Sequence, residues 1–219
     1  MTFVPYRPPV VEPDASLARV RAYRQDMDGR RTVRRFDPER PVSREVIEEI
    51  LKVAGSAPSG AHKQPWTFVA IESADLKRRI RDACEAQERR FYDELITDEW
   101  RADLEPLGTD FVKEHITDAP WVVVLFAQRY GLGPDGEKHK HYYVPESVGI
   151  AAGFFLTAVR QAGLCSLTHT PSPMGFLAEV LERPPNEEAF LLLPLGYAAP
   201  DCEVPDLKRK DLDDFVVWR

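Results

Sequence analysis

Three cysteines, Cys84, Cys165 and Cys202, are too few and too far apart, with no CxxC pair, to make a zinc ribbon or a disulfide scaffold. Unpaired thiols fit a reducing compartment. No apolar run approaches the roughly 20 residues that cross a bilayer. Met1-Thr2-Phe3-Val4-Pro5-Tyr6-Arg7-Pro8-Pro9 also lacks the apolar centre of a signal peptide. The expectation is a cytoplasmic protein with no membrane partner. Positive charge is scarce: 29 Lys and Arg face 36 Asp and Glu, for a net charge of −7. That balance argues against a nucleic-acid partner, which needs clustered cations, and favours a small ligand. Missing too is a GxGxxG after the first strand, so a dinucleotide-binding doubly wound fold is disfavoured. Gly131-Leu132-Gly133-Pro134-Asp135-Gly136 ends without the Lys and Ser/Thr of a phosphate loop and reads as a turn. His139 and His141 form an HxH pair, but no further cluster completes a ligand set, so the reading there is a solvated loop and no metal.

What is present suffices for one sizeable core, since 43% of 219 residues are hydrophobic. Residues 1–13 are proline-rich and read as an extended arm. Asp14 then caps a helix carrying Leu17, Val20 and Tyr23 on one face. Ser43 opens a second helix, with Val46, Ile47, Ile50, Leu51 and Ala54 at the 3.6-residue period until Gly55. Trp66 to Ile71 reads as a strand. Ser73 caps a long helix through Tyr92, and the polar stretch to Lys113 reads as part of a lid over residues 86–115. Trp121 to Phe126 is a strand buried on both faces. Pro145 opens a helix apolar nearly all round, whose small residues suit a subunit interface. Leu164 to Thr168, a short helix from Met174 to Leu181, the strand Phe190 to Tyr197 and a tail over 204–219 complete a single α+β domain covering 1–219.

Two stretches stand out chemically. Ala57-Pro58-Ser59-Gly60-Ala61-His62-Lys63-Gln64-Pro65 separates a helix from a strand, and its glycine would let a flat ligand lie against bare backbone N–H groups. Arg30-Arg31-Thr32-Val33-Arg34-Arg35 is a basic island in an acidic chain. It reads either as a solvated loop or, with Lys208-Arg209-Lys210, as an anion cradle whose guanidinium forks suit a phosphate. The cradle reading points to flavin mononucleotide.

Arg-Arg-Thr-Val-Arg at 30–34, Ala-Pro-Ser-Gly-Ala-His at 57–62, Gly163-Leu164 leading to Thr168-His169-Thr170-Pro171, Leu193-Pro194-Leu195-Gly196-Tyr197 and Val204 to Lys210 together resemble the nitroreductase superfamily. Within it they resemble the iodotyrosine deiodinases. The motifs run in unbroken order over roughly residues 28–217. The membrane anchor of the animal enzymes is not among them, as in a bacterial-type form.

The resemblance implies a central mixed β-sheet flanked by helices, in a homodimer with intertwined termini and FMN at the subunit interface. Arg30, Arg31, Thr32 and Arg34 match the stretch that holds the flavin phosphate and pyrimidine edge, with Arg209 reaching in from the tail. Pro58 and Ser59 match the loop that serves the neighbouring subunit's flavin. Thr168 matches the threonine that bonds flavin N5, Thr170 closes its loop, and His169, which stands where the vertebrate enzymes carry the middle of three threonines, is counted with them among the flavin-binding residues. Glu88, Tyr92 and Lys113 match the trio that grips the zwitterion of a halogenated tyrosine, while the Ala61 N–H meets its phenolate. Spacing alone puts Glu88 and Tyr92 on one helical face.

The implied activity is FMN-dependent reductive dehalogenation of mono- and diiodotyrosine, with Thr168 as catalytic residue. NAD(P)H or a separate reductase supplies the electrons. A broad NAD(P)H-dependent nitro or quinone reductase and a non-catalytic FMN-binding protein are the alternatives.

Overall fold

A computed structural model describes residues 2–219. It divides into two compact units, one ending at Arg30 and one running from Arg31 to Arg219. In the first, residues 2–12 carry no regular structure and helix α1 spans Pro13–Asp28. The expected cap at Asp14 is instead the second residue of the helix, inside its first turn. Glu12 occupies the cap position without a side-chain bond, because Pro13 takes the first helical position, where a missing N–H costs nothing. Leu17, Val20 and Tyr23 on α1 are all exposed.

The second unit is a four-stranded sheet in the order β1-β2-β6-β5, formed by Trp66–Ile71, Trp121–Gln128, Glu187–Gly196 and Cys165–Ser166. Its ladders are antiparallel, and a parallel bridge between Thr32 and Ser166 makes it mixed. Strand β2 explains the three-layer build. Its continuous apolar run alternates sides, so Trp121, Val123 and Leu125 meet helices α2 (Arg44–Gly55) and α6 (Val144–Gln161). Val122, Val124 and Phe126 meet Ile80 and Cys84 of α3 (Ala74–Arg90) and Ile116 of α5 (His115–Asp118) on the other face, with Leu177 of α7 (Gly175–Val180). A side-chain period of two turns one hydrophobic strand into two cores.

Helix starts follow the sequence reading at Ser43 and Ser73, whose hydroxyls accept from Val46 and Leu76 N–H. Elsewhere the structure differs. The strand expected from Leu164 shrinks to Cys165–Ser166, because the next residue of β6 in register is Pro194, which has no N–H to continue the ladder. The segment after α3 is less loose than its polarity suggests. Phe91–Leu95 forms a π turn, Thr97 caps α4 (Asp98–Leu104), and Glu105–Leu107 adds a 3-10 turn. The Gly131–Gly136 turn is the tip of a hairpin, β3 (Tyr130–Leu132) and β4 (Lys138–Lys140). His139 therefore lies on an exposed strand, and His141 Nδ1 sits 3.0 Å from the Gln128 carbonyl. Among the described residues, no helix is long and apolar enough to cross a membrane.

Candidate active site

Helix α3 delivers Glu88 from its last turn, and the π turn that follows delivers Tyr92. Cys84 and Ile80 are fully buried one and two turns earlier on the same face, so burial of that stripe aims Glu88 inward. Lys113 arrives from the segment before α5, with its backbone N–H donating to Glu85 Oε1 at 2.8 Å and its ammonium donating to the Asp110 carbonyl. Glu88 then holds two partners. Its Oε2 lies 3.0 Å from Lys113 Nζ and its Oε1 3.0 Å from His169 Nε2. Tyr92 lies close by, its hydroxyl donating to the Thr109 carbonyl at 3.3 Å and its ring 5.7 Å from Lys113 Nζ.

These groups line a cavity of about 230 Å³ together with Arg34, Phe91, Trp100, Leu104, His115, Thr168 and Thr170. Phe91 and Trp100 meet edge-to-face at 4.8 Å, giving the cavity an aromatic wall from the segment after α3. The opposite wall is the extended chain after β5. Paired backbone bonds of 2.9 Å lock His169 to Leu192, so side chains alternate: Thr168 and Thr170 are exposed, and His169 between them is buried. Val33 and Phe36 sink into a third small core with Ala119 and Leu167, which leaves Arg34 between them at the cavity.

Electrostatics follows from burial. Desolvation alone would raise the Glu88 carboxyl, but the bond from His169 and the charge of Lys113 outweigh it and hold the group below the usual carboxylate range. His169 is pushed down by burial against the pull of Glu88. His115, whose Nε2 is 3.4 Å from His169 Nδ1, is pushed down to about 3 by burial, then by His169 and Lys113. Burial, then Glu88, pushes the Cys84 thiol up to about 12. The site thus carries a buried carboxylate–ammonium pair beside two imidazoles.

The structure brings Arg34, Glu88, Tyr92, Lys113, Thr168, His169 and Thr170 together. Other residues singled out in the sequence stand elsewhere. Pro58, Ser59 and Ala61 do not line this cavity; their loop packs on the start of α6, where Gly60 N–H donates to Ser147 Oγ at 3.2 Å. The smallness of Gly60 has a structural consequence within the chain. A Cβ there would stand 2.6 Å from the Tyr142 carbonyl, so the glycine clears the entry to α6. Ala61, His62 and Gln64 all have left-handed backbone, a strain that concentrates at functional loops. The Arg31 guanidinium donates to the Pro205 carbonyl, Thr32 is half-buried at its bridge to Ser166, and Arg209 is exposed on the tail. Arg30 closes the first unit. His169 faces Glu88 and Cys84 instead of sharing the side of its threonine neighbours. His115 and Cys84 were not legible as site residues, since neither stands in a pattern with the groups it meets.

A mixed sheet covered by helices on both faces, with a guanidinium and two hydroxyls at the rim of a buried ion pair, is the build of a flavin-dependent reductase. The chain belongs to the nitroreductase family, whose pattern matches residues 27–197. Within that family it belongs with the iodotyrosine deiodinases. It is 51% identical to the iodotyrosine deiodinase of Haliscomenobacter hydrossis over 95% of this chain and 94% of the relative. It is 44% identical to that of Danio rerio over 98% of this chain and 72% of the relative. Among solved structures, a crystal structure of oxidized iodotyrosine deiodinase bound to FMN and 3-iodo-L-tyrosine superposes with a TM-score of 0.77 at 28% identity, covering 90% of this chain and 100% of the other.

Proposed function

We infer that the protein uses FMN to remove halide reductively from halotyrosines such as mono- and diiodotyrosine, releasing the halide and tyrosine. The observation that carries this reading is the convergence of Glu88, Tyr92 and Lys113 on one cavity in a chain of this family. The residues present fit the flavin. Arg34 offers a cationic donor, and Thr168 and Thr170 turn two hydroxyls to the same side. When bound, FMN supplies the two electrons that, with a proton, replace the carbon–halogen bond by carbon–hydrogen.

The protein's own residues bind, orient and exclude water. In the free site Glu88 and Lys113 neutralise each other. A zwitterionic amino acid can enter this pair without leaving a charge unmatched: its ammonium takes Glu88, and its carboxylate takes Lys113 and the Tyr92 hydroxyl. One buried ion pair opens into two. Residues 86–115 act as the lid, and Phe91 and Trp100 close over the aryl ring. Thr168 would offer its hydroxyl to the flavin ring, and Thr170 would close the same loop. Arg31, Thr32 and Arg209 would hold the phosphate end.

A homodimer belongs to the same reading. Val46 and Val53 on α2 and Ile150 and Phe154 on α6 are exposed, and a groove of about 540 Å³ lies between these helices. The distance of Pro58, Ser59 and Ala61 from their own cavity suits a loop that serves a partner's flavin, with the Ala61 N–H meeting the substrate phenolate. Electrons arrive from NAD(P)H or from a separate reductase, and the three free thiols fit a cytoplasmic setting.

Titration of the FMN-loaded protein with diiodotyrosine tests the assignment. Expected are quenching of flavin fluorescence and iodide release under dithionite. Rapid NADPH oxidation with a nitroarene and no iodide release would instead make it a general nitroreductase, and neither response a flavin-binding protein without turnover.

A further inference from the structure

The residue between the two cavity threonines is buried where they are exposed, and it is held through both its backbone and its ring. His169 is 9% exposed, and its backbone is bonded in both directions to Leu192. Its Nε2 lies 3.0 Å from Glu88 Oε1, and its Nδ1 lies 3.4 Å from Nε2 of the equally buried His115. A carboxylate only accepts, so Nε2 carries the proton, Nδ1 is left as acceptor, and His115 Nε2–H donates to it. The chain His115 to His169 to Glu88 is thereby set in direction. Each ring is held by a neighbour, and His169 also stacks edge-on against His115 at 5.2 Å.

We propose that His169 is a positioning residue for amino-acid recognition: it anchors one oxygen of Glu88, so that the other stays presented when Lys113 leaves it for the substrate carboxylate. The proposal rests on the halotyrosine reading of the cavity. Without the anchor, the Glu88 carboxylate is free to follow the Lys113 ammonium, and the pair stays shut against an incoming zwitterion. The anchor also differs from the pair it serves. Lys113 must be exchangeable, whereas His169 is tied to the sheet by its backbone and does not move with residues 86–115. A flavin contact would call for the opposite orientation, on the side of Thr168 and Thr170.

Two amide substitutions separate this role from bulk packing. Gln places its N–H where Nε2 stands, and Asn places its own where Nδ1 stands, so both keep a polar planar group but only one reaches Glu88. With FMN-loaded protein, His169→Gln is expected to keep the iodotyrosine KM within about threefold, and His169→Asn to raise it at least about tenfold, the scale of one lost charge-assisted hydrogen bond. The kcat at saturation should differ little between the two. FMN content should match the parent in both, and 2-iodophenol, which has no zwitterion, should bind all three proteins alike. Equal KM values for the two variants would overturn the proposal, as would loss of FMN or a weakening toward 2-iodophenol as large as toward iodotyrosine. A parent protein that releases no iodide from iodotyrosine would instead overturn the function reading. In that case, affinity for tyrosine itself still compares the two variants.

Discussion

Lys113 Nζ and Glu88 Oε2 lie 3.0 Å apart with side chains only 4% and 12% exposed, a neutral pair sealed inside the wall that receives the ligand. A pair of this kind contributes little net stability when intact, because desolvation offsets attraction, but removing one member strands the other. Its value here is chemical: it is already the shape and charge of what a zwitterion replaces.

Lys113→Ala is therefore expected to cost about 3 kcal/mol of stability and to weaken halotyrosine binding by about two orders of magnitude, while FMN content stays intact. The double variant Glu88→Gln/Lys113→Met should recover much of the stability and none of the affinity. Thermal unfolding and fluorescence titration check both halves. Unchanged affinity in Lys113→Ala would remove Lys113 from the grip.

The same pair predicts selectivity between ligands. Iodotyramine lacks the carboxylate and leaves Lys113 unmatched; a deaminated iodotyrosine leaves Glu88 unmatched. Each should bind at least about a hundredfold more weakly than iodotyrosine, the usual scale for an unpaired buried charge. Competition titrations measure it, and near-equal affinities would mean that the pair stays closed.

Acid stability carries a second signature. His115 is buried neutral, with its native pKa near 3 against 6.5 in the unfolded chain. Below pH 6.5 the unfolded chain therefore takes up a proton that the native site refuses. The His115 contribution is complete above that pH and is lost as pH falls toward 3, by up to about 4 kcal/mol. His169, also lowered, adds to the same slope, and Glu88 adds its part below the ordinary carboxylate range. Urea melts at stepped pH should show His115→Phe with a flatter curve than the parent between pH 6.5 and 4.

Gly60 tests the loop before β1. Its substitution by Ala sets a methyl 2.6 Å from the Tyr142 carbonyl and 3.0 Å from the Tyr143 ring. The backbone must shift, at a cost of about 1–3 kcal/mol. A Tm equal to the parent's would show that the turn has room that its geometry denies.

Cys84, fully buried with its thiol pushed up to about 12, should resist iodoacetamide at neutral pH in the folded protein. Mass spectrometry after timed labelling should find Cys165 and Cys202 modified first, since both are half-buried. Early labelling of Cys84 would contradict the packing of α3 on β2.

Much of this protein is written locally. The Ser caps of α2 and α3, the apolar period of α2 and the unbroken run of β2 each depend on neighbours within a few residues, so the sequence alone determined those elements and placed Glu88 four residues before Tyr92 on one face. It also carried the family, since ordered motifs survive without any knowledge of contacts. What the chain cannot spell out is which distant group meets which. His169 reaches Glu88 across 81 residues and His115 across 54. Only pairing of the chain after β5 with Leu192 decides that this ring is buried against Glu88 while Thr168 and Thr170 are exposed. The close approach of Tyr142 to Gly60, likewise, exists only once α6 has docked. Short-range rules set helix and strand; burial and backbone pairing between remote segments set the direction of each side chain, and in this site direction is what separates an anchor from a ligand contact.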